Sequence, residues 1–579
     1  MCGFVGCFGA SKDLKDKVLL AGQFLRHRGD KKSKPKLCYD DNFSAAFSRL
    51  AIKDLNESSK QPYKKDGYNF VLCFNGEIYN YKELKDILIK KSYIFQSDSD
   101  TELVYLAFDY WGLSCFEKFR GMFAICVFDI EKKQMFLARD ALGIKTLYYT
   151  IKEQNVYFAS EIKAFKPFIS FSPNYDNLFE FLKFGTNLGK STIFKGIYQL
   201  KPAQILSIDV NLDIKTSKFF SLADTFGDDE DIDFSQIKDL LDESVRLHCD
   251  CDVKYGSQLS GGLDSSLIAA LAHKYSKDME TFSVRFTNKD LDETKFQKLL
   301  TDELQIQSNF IVYDNFFNID KLNQAIYFED FPLHHPNILA SNEINMLAEC
   351  KANKVLLSGD GADEVFCGYN WHLREFQMSE LDEAINKLSY CPFENLKNSV
   401  NLHQKELNPE ILSDISKIPN NQVMVYLGQR IYLDKWLRRQ DRSGMQNSLE
   451  IRVPYLDIAL LKALNKYSIK AKTNNFRNAK FILKRLAEPY INNKIIYQKK
   501  IGFPMPIKEY FASKKAEIFW EFLRSKKAKE RGFYNFAYIE NLIKNHKENL
   551  QDNSRSLWTI LNLELWFRIF IDKQADIKF

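Results

Sequence analysis

Ser260-Gly261-Gly262-Leu263-Asp264-Ser265-Ser266 leads directly into an apolar helical period at Leu267, Ile268 and Leu271. Two glycines let the backbone approach a ligand closely, and hydroxyls at a helix N-terminus suit an anion. The stretch lacks the Gly-Lys-Ser/Thr of a P-loop, so a kinase-type phosphate cradle is excluded. The alternative is a plain Gly/Ser turn capping a helix. The surroundings decide the fold class. Short strand patterns at 281–286 and 354–357 alternate with helical patterns at 265–275 and 342–350, which predicts a parallel sheet covered by helices.

Outward from that core the texture changes twice. From about 375 the patterns are nearly all helical, ending in an apolar, aromatic stretch at 556–571. Upstream, Phe226-Gly227-Asp228-Asp229-Glu230-Asp231 is acidic, turn-prone and without apolar period, and reads as a linker. Before it, Val, Ile, Phe and Tyr runs at 70–74, 122–128, 135–138 and 157–159, bounded by Asn, Asp and Gly, predict a sheet-rich unit. Two helical stretches interrupt it, near 81–91 and 101–110. The predicted organisation is therefore a unit over 1–210, a linker over 211–235 and a second unit over 236–579.

Composition fits several globular domains. The 579 residues are 45% hydrophobic and 27% charged, which excludes a mainly disordered chain. A net charge of +5 gives no reason to expect a nucleic acid or a membrane surface as partner. No long uncharged apolar run predicts a spanning helix, and no basic-plus-apolar leader pattern follows Met1. Eleven scattered cysteines without paired metal spacing are expected to be reduced thiols in the cytoplasm.

Cys2 becomes the first residue once the initiator Met is removed, and its thiol then sits beside an α-amine of pKa about 7.7–8.0. That pairs a nucleophile with a base in one residue, although a small buried hydrophobe is the simpler reading. Arg49 offers a bidentate grip on a carboxylate. Asn75-Gly76 is either a hairpin turn or a pair of donors to an oxyanion. Asp100 is either a helix N-cap or an anchor for an ammonium. Downstream, Asp360, Asp363 and Glu364 follow the strand pattern Val355-Leu356-Leu357. Three acids in five residues repel one another unless a cation or solvent separates them, and they suit Mg²⁺ held by few protein oxygens plus phosphate.

MCGFVG, RHRG, SRLAI, FNGEIYNY, SDSDTE, RGMFA, RDALGIK and FASEIKA, in this order over about 1–165, resemble the glutaminase domain of class II glutamine amidotransferases. SGGLDSS, SGDGADEVFCGY and SLEIRVPYLD resemble the ATP-pyrophosphatase half of the glutamine-hydrolysing asparagine synthetase family. The resemblance implies an N-terminal nucleophile αββα sandwich followed by a Rossmann-like parallel-sheet domain with a helical C-terminal part. It implies Cys2 as nucleophile, Asn75 and Gly76 as oxyanion donors, and Arg49, Ile52, Glu77 and Asp100 as further glutamine contacts. ATP would lie on Gln258, Ser260, Gly261, Gly262, Leu263, Asp264, Ser265, Val284, Ser358 and Gly359. Mg²⁺ would lie on Asp264 and Asp363. Asp360 would assist formation of an acyl-adenylate, and Lys500 would neutralise developing phosphate charge, with Lys499 adjacent. The family also suggests a homodimer.

Two departures stand out: Asp30 and Thr146 replace prolines usual after the HRG glycine and the GxK lysine. Asp360 stands where well-known members have Glu and other members have Asp. The segment expected to shape the acceptor pocket reads Glu329-Asp330-Phe331-Pro332-Leu333-His334-His335-Pro336-Asn337. Its two histidines are either ordinary loop residues or acceptor contacts. The expected reaction is amidation of an adenylated carboxylate with ammonia from glutamine. L-Aspartate is the leading acceptor and another carboxylate, such as a sugar acid, the alternative.

Overall fold

The computed structural model describes residues 2–9, 14–31, 33–290, 292–313, 318–499, 502 and 505–572. Its N-terminal part contains two antiparallel sheets, one of six strands and one of five. Period-two alternation sorts their side chains into layers. On Gly3–Gly9, Phe4 and Phe8 face the second sheet, whereas Val5 and Cys7 turn outward toward Val18 and Ala21 of helix Lys15–Gln23. On Phe70–Ile78, Val71 and Cys73 face inward, while Leu72 and Phe74 meet helices Tyr81–Ile89 and Asp100–Trp111. Phe43 of one sheet stacks on Phe128 of the other at 4.7 Å between ring centroids. This is the expected αββα sandwich.

The strand predicted at 70–74 runs on to Ile78, so Asn75-Gly76 is not a hairpin turn. Gly76 lies opposite Phe123 in the ladder. A Cβ there would sit 2.0 Å from the Met122 carbonyl oxygen and 2.7 Å from Phe123 Cα, so only glycine permits the strand at this point.

The second sheet system has five parallel strands in the order Gln307–Tyr313, Glu280–Phe286, Tyr255–Gln258, Val355–Leu357, Glu450–Arg452. In chain order this is 3-2-1-4-5, so the direction of winding reverses between Tyr255–Gln258 and Val355–Leu357. Crevices for ligands open at the carboxyl ends of the strands at such a reversal. SGGLDSS leaves the first of these strands and SGDGADE the second, so the fold brings the two loops together. Among the described residues beyond 375 the named elements are helical apart from the short strand Glu450–Arg452, and Ser554–Trp566 docks Trp558 and Trp566 with both indole N–H groups bonded, to the Leu333 and Asp330 carbonyls.

Buried ion pairs join the two parts. Arg452, with no exposed surface, donates to Glu450 at 2.6 Å, to Glu77 across the interface at 2.9 Å and to the His248 carbonyl at 2.8 Å. Arg28, equally buried, donates to the Cys2 carbonyl at 2.9 Å, to Glu161 at 2.6 Å and to both oxygens of Asp441. Asp30, in place of the usual proline, accepts from Lys354 at 2.6 Å and thereby adds a further tie. Removing one partner of a buried ionic cluster leaves uncompensated charge. Arg452→Ala is therefore expected to cost about 3–5 kcal/mol in urea unfolding, with Arg452→Lys losing distinctly less. Equal stability of wild type and Arg452→Ala would show that the cluster does not hold the interface.

Candidate functional site

Cys2 immediately precedes the strand Gly3–Gly9, which is paired on both sides within its sheet, and is 8% exposed. Its backbone N–H donates to Asn75 Oδ1 at 2.9 Å, and its Sγ lies 3.8 Å from the Leu50 carbonyl. Burial pushes the thiol above its usual range, opposed by nearby positive charges that include Arg49. Asn75 is fully buried, and with its Oδ1 committed to Cys2, its Nδ2 has no hydrogen-bond partner among the described residues. A buried amide N–H₂ without a partner carries the full cost of desolvation, so it is a donor held ready for an incoming acceptor.

Around this pair stand the other residues predicted from sequence. Arg49 donates to the carbonyls of Asn56 and Asp54, which fix its guanidinium in a loop over the site. Ile52 is buried, and its carbonyl accepts from Asp252 N–H across the interface. Burial pushes Glu77 well above the carboxylate range, against the pull of Arg452. Asp100 is not the N-cap of its helix, because Ser99 takes that role by accepting from Thr101 N–H. Its carboxylate accepts instead from Ile78 N–H at 3.2 Å, and burial pushes its pKa up to about 7.

The second centre is the crevice at the winding reversal, a cavity of about 550 Å³. It is lined by Gln258, Ser260, Gly262, Leu263, Asp264, Ser265, Val284, Ser358, Gly359, Asp360 and Asp363. Gly261 stands at φ +101°, a conformation side chains resist, and its carbonyl accepts from Gln498. Ser260 Oγ bonds Ser265 Oγ at 2.9 Å and accepts from Gly262 N–H, so hydroxyls and the helix N-terminus turn inward. Asp264 and Asp363 converge on one cation, the Lys480 ammonium, at 2.5–2.7 Å. Two carboxylates held this way suit a metal that takes its remaining oxygens from phosphate. Asp360 accepts from Gln440 at 2.5 Å and Arg439 at 2.7 Å. Lys500 lies outside the described residues.

Sequence reasoning found both loops but missed what faces them. Arg439 and Gln440 lie on helix Leu433–Met445 with Asp441, the partner of Arg28, so one turn of helix touches both centres. Lys480 carries no motif of its own. Of the two histidines, His335 lines the crevice beside Trp436 and Tyr432, and burial lowers its pKa to about 3. His334 lies beside Gly185 and is likewise held neutral by burial. Between the centres, Leu50, Ile52, Met122 and Ile144 of the sandwich share one apolar cluster with Val355, Leu357, Val453 and Tyr455. No helix among the described residues is long and apolar enough to cross a membrane.

Comparison with known proteins agrees with these two centres. A family model for asparagine synthase matches residues 236–568, and one for a glutamine amidotransferase domain matches 1–220. The chain is 29% identical to asparagine synthetase [glutamine-hydrolyzing] 1 of Bacillus subtilis, over 99% of this chain and 98% of that protein. It is 26% identical to a putative asparagine synthetase [glutamine-hydrolyzing] of Mycobacterium bovis, again over 99% and 98%. With matches that span both centres and nearly the whole length, the chain belongs to the glutamine-hydrolysing asparagine synthetase family.

Proposed function

We propose that the protein adenylates a carboxylate with ATP and amidates it with ammonia drawn from glutamine, through a glutaminase unit at 1–210 and a synthetase unit at 236–579 joined by 211–235. The observation that carries this reading is the unpartnered Asn75 amide beside the Cys2 backbone. Cys2 attacks the side-chain amide carbon of glutamine, and the oxyanion forms against Asn75 Nδ2 and Gly76 N–H. The thiol proton, taken up by the α-amine freed at Cys2, passes to the amide nitrogen, so collapse breaks the C–N bond, releases ammonia and leaves a thioester that water hydrolyses to glutamate. Arg49 grips the α-carboxylate, with Ile52 beside it, while Asp100 attracts the α-ammonium and Glu77 accepts a hydrogen bond from it.

In the crevice the acceptor oxygen attacks the α-phosphorus, the bond to the β-phosphate oxygen breaks, and pyrophosphate leaves. Gln258, Val284, Ser358 and Gly359 bind the adenosine end, and Ser260, Gly261, Gly262, Leu263 and Ser265 the phosphates. Asp264 and Asp363 would hold Mg²⁺, which when bound screens the phosphate charge. Asp360, aimed by Arg439 and Gln440, assists the acyl-adenylate, and Lys500 would offset phosphate charge. Ammonia then displaces AMP. The apolar cluster between the centres supplies a route that keeps ammonia from bulk water, where most of it would become ammonium. The names of the relatives support L-aspartate as acceptor and L-asparagine as product. The aromatic wall of His335, Trp436 and Tyr432 favours a second reading, a bulkier carboxylate such as a sugar acid.

Ammonia-dependent pyrophosphate release across a panel of carboxylates tests the reaction. Release with aspartate supports the first reading, release only with another acid the second, and release with none contradicts both. Cys2→Ala is expected to lose glutamine-dependent synthesis and keep ammonia-dependent synthesis; loss of both would contradict separable centres. Asp100, with its pKa at about 7, is mostly neutral at pH 6 and mostly ionised at pH 8. Only the ionised form attracts an ammonium, so calorimetric affinity of Cys2→Ala for glutamine should rise about tenfold from pH 6 to pH 8. Adding Asp100→Asn should flatten that rise; an unchanged profile would remove Asp100 from the amine site.

A further inference from the structure

Lys480 stands immediately ahead of helix Phe481–Ala487 in a left-handed conformation, φ +56°, which aims its side chain back into the crevice. Its Nζ donates to Asp264 at 2.7 and 2.5 Å and lies 2.7 Å from Asp363 Oδ1. The lysine is 6% exposed, and its backbone N–H donates to the Cys367 carbonyl. Gly368 makes room for the arrangement. A Cβ at that position would lie 1.9 Å from Asp363 Oδ1 and 2.3 Å from Lys480 Cε.

An ammonium at hydrogen-bond distance from both carboxylates stands at the point where those two groups would hold a divalent ion. Two cations cannot share that point, because like charges this close repel strongly in a partly desolvated crevice. The triphosphate changes the balance, since its oxygens offer the ammonium new partners while the carboxylates and phosphates together offer the metal a fuller shell. We propose that Lys480 guards the metal position: its ammonium excludes a divalent ion from Asp264 and Asp363 until the nucleotide's phosphates draw it away, so that metal and ATP enter together. This deepens, and rests on, the adenylation reading above. Lys480 is a positioning residue in this account.

Mn²⁺ alone is titrated into the full-length protein and followed by water proton relaxation, which reports ion bound to protein. Wild type and Lys480→Arg are expected to bind it weakly, and Lys480→Gln at least tenfold more tightly. ATP should tighten Mn²⁺ binding at least tenfold in wild type and far less in Lys480→Gln. Equal affinity of wild type and Lys480→Gln for Mn²⁺ alone overturns the proposal. So does wild type binding Mn²⁺ as tightly without ATP as with it, a comparison that needs no variant. Equilibrium dialysis with labelled ATP separates the two claims. Failure of any form to retain ATP with Mn²⁺ counts against adenylation, while the titrations of Mn²⁺ alone still decide the role of the lysine.

Discussion

Charge buried between the sandwich and the parallel-sheet part is the constraint on which this protein is built. Arg452 holds Glu77 of the sandwich and Glu450 of the parallel sheet with no solvent to share the load. Burial pushes Glu450 up, but several nearby positive charges, Arg452 and Lys145 among them, outweigh it and hold the group ionised, at about 2. Such clusters contribute little net stability compared with apolar packing, but they tolerate no rearrangement. They fix the orientation of one unit on the other. Arg28 does the same nearer Cys2, tying its carbonyl to Asp441. Asp441 sits beside Gln440 and Arg439, which hold Asp360, so the geometry of each centre is set by residues that also serve the other.

That arrangement explains why the space between the centres is divided in two. On one side lie Arg28, Glu161, Lys163, Asp330, Asp441 and Arg442, a fully buried ionic block. On the other lies the apolar cluster that joins Leu50 and Met122 to Leu357 and Val453. The ionic block supplies rigidity, and the ammonia route proposed above would follow the apolar cluster.

Much of this was legible in the sequence because local signals and global fold agreed. The strand patterns at 122–128 and 281–286, the helix after SGGLDSS and the two loops at the winding reversal all follow from periodicity and turn chemistry. What was not legible depends on partners distant in the chain. Asn75-Gly76 alone allows a hairpin turn as well as a pair of donors, and only the strand running on to Ile78, with the partner Cys2 lying 73 positions away, removes the turn. The local pattern around Asp100 allows a cap as well as an ammonium anchor, and only the fold shows that the adjacent Ser99 caps and leaves Asp100 to accept from Ile78. Lys480 and Arg439 are ordinary basic residues until the fold sets them against Asp264 and Asp360. Asp30, a departure from the family pattern, gains its role only from Lys354, 324 positions on.

The central claim is that two centres act in series within one chain. It is tested most directly by supplying glutamine labelled with ¹⁵N at the amide, together with ATP, an acceptor that supports pyrophosphate release and an excess of unlabelled ammonium. Mass spectrometry of the product amide reads the outcome. The account predicts that the label is retained well above its share of the total ammonia pool. Label diluted to the bulk ratio would show that ammonia escapes to solvent and that the two centres work independently.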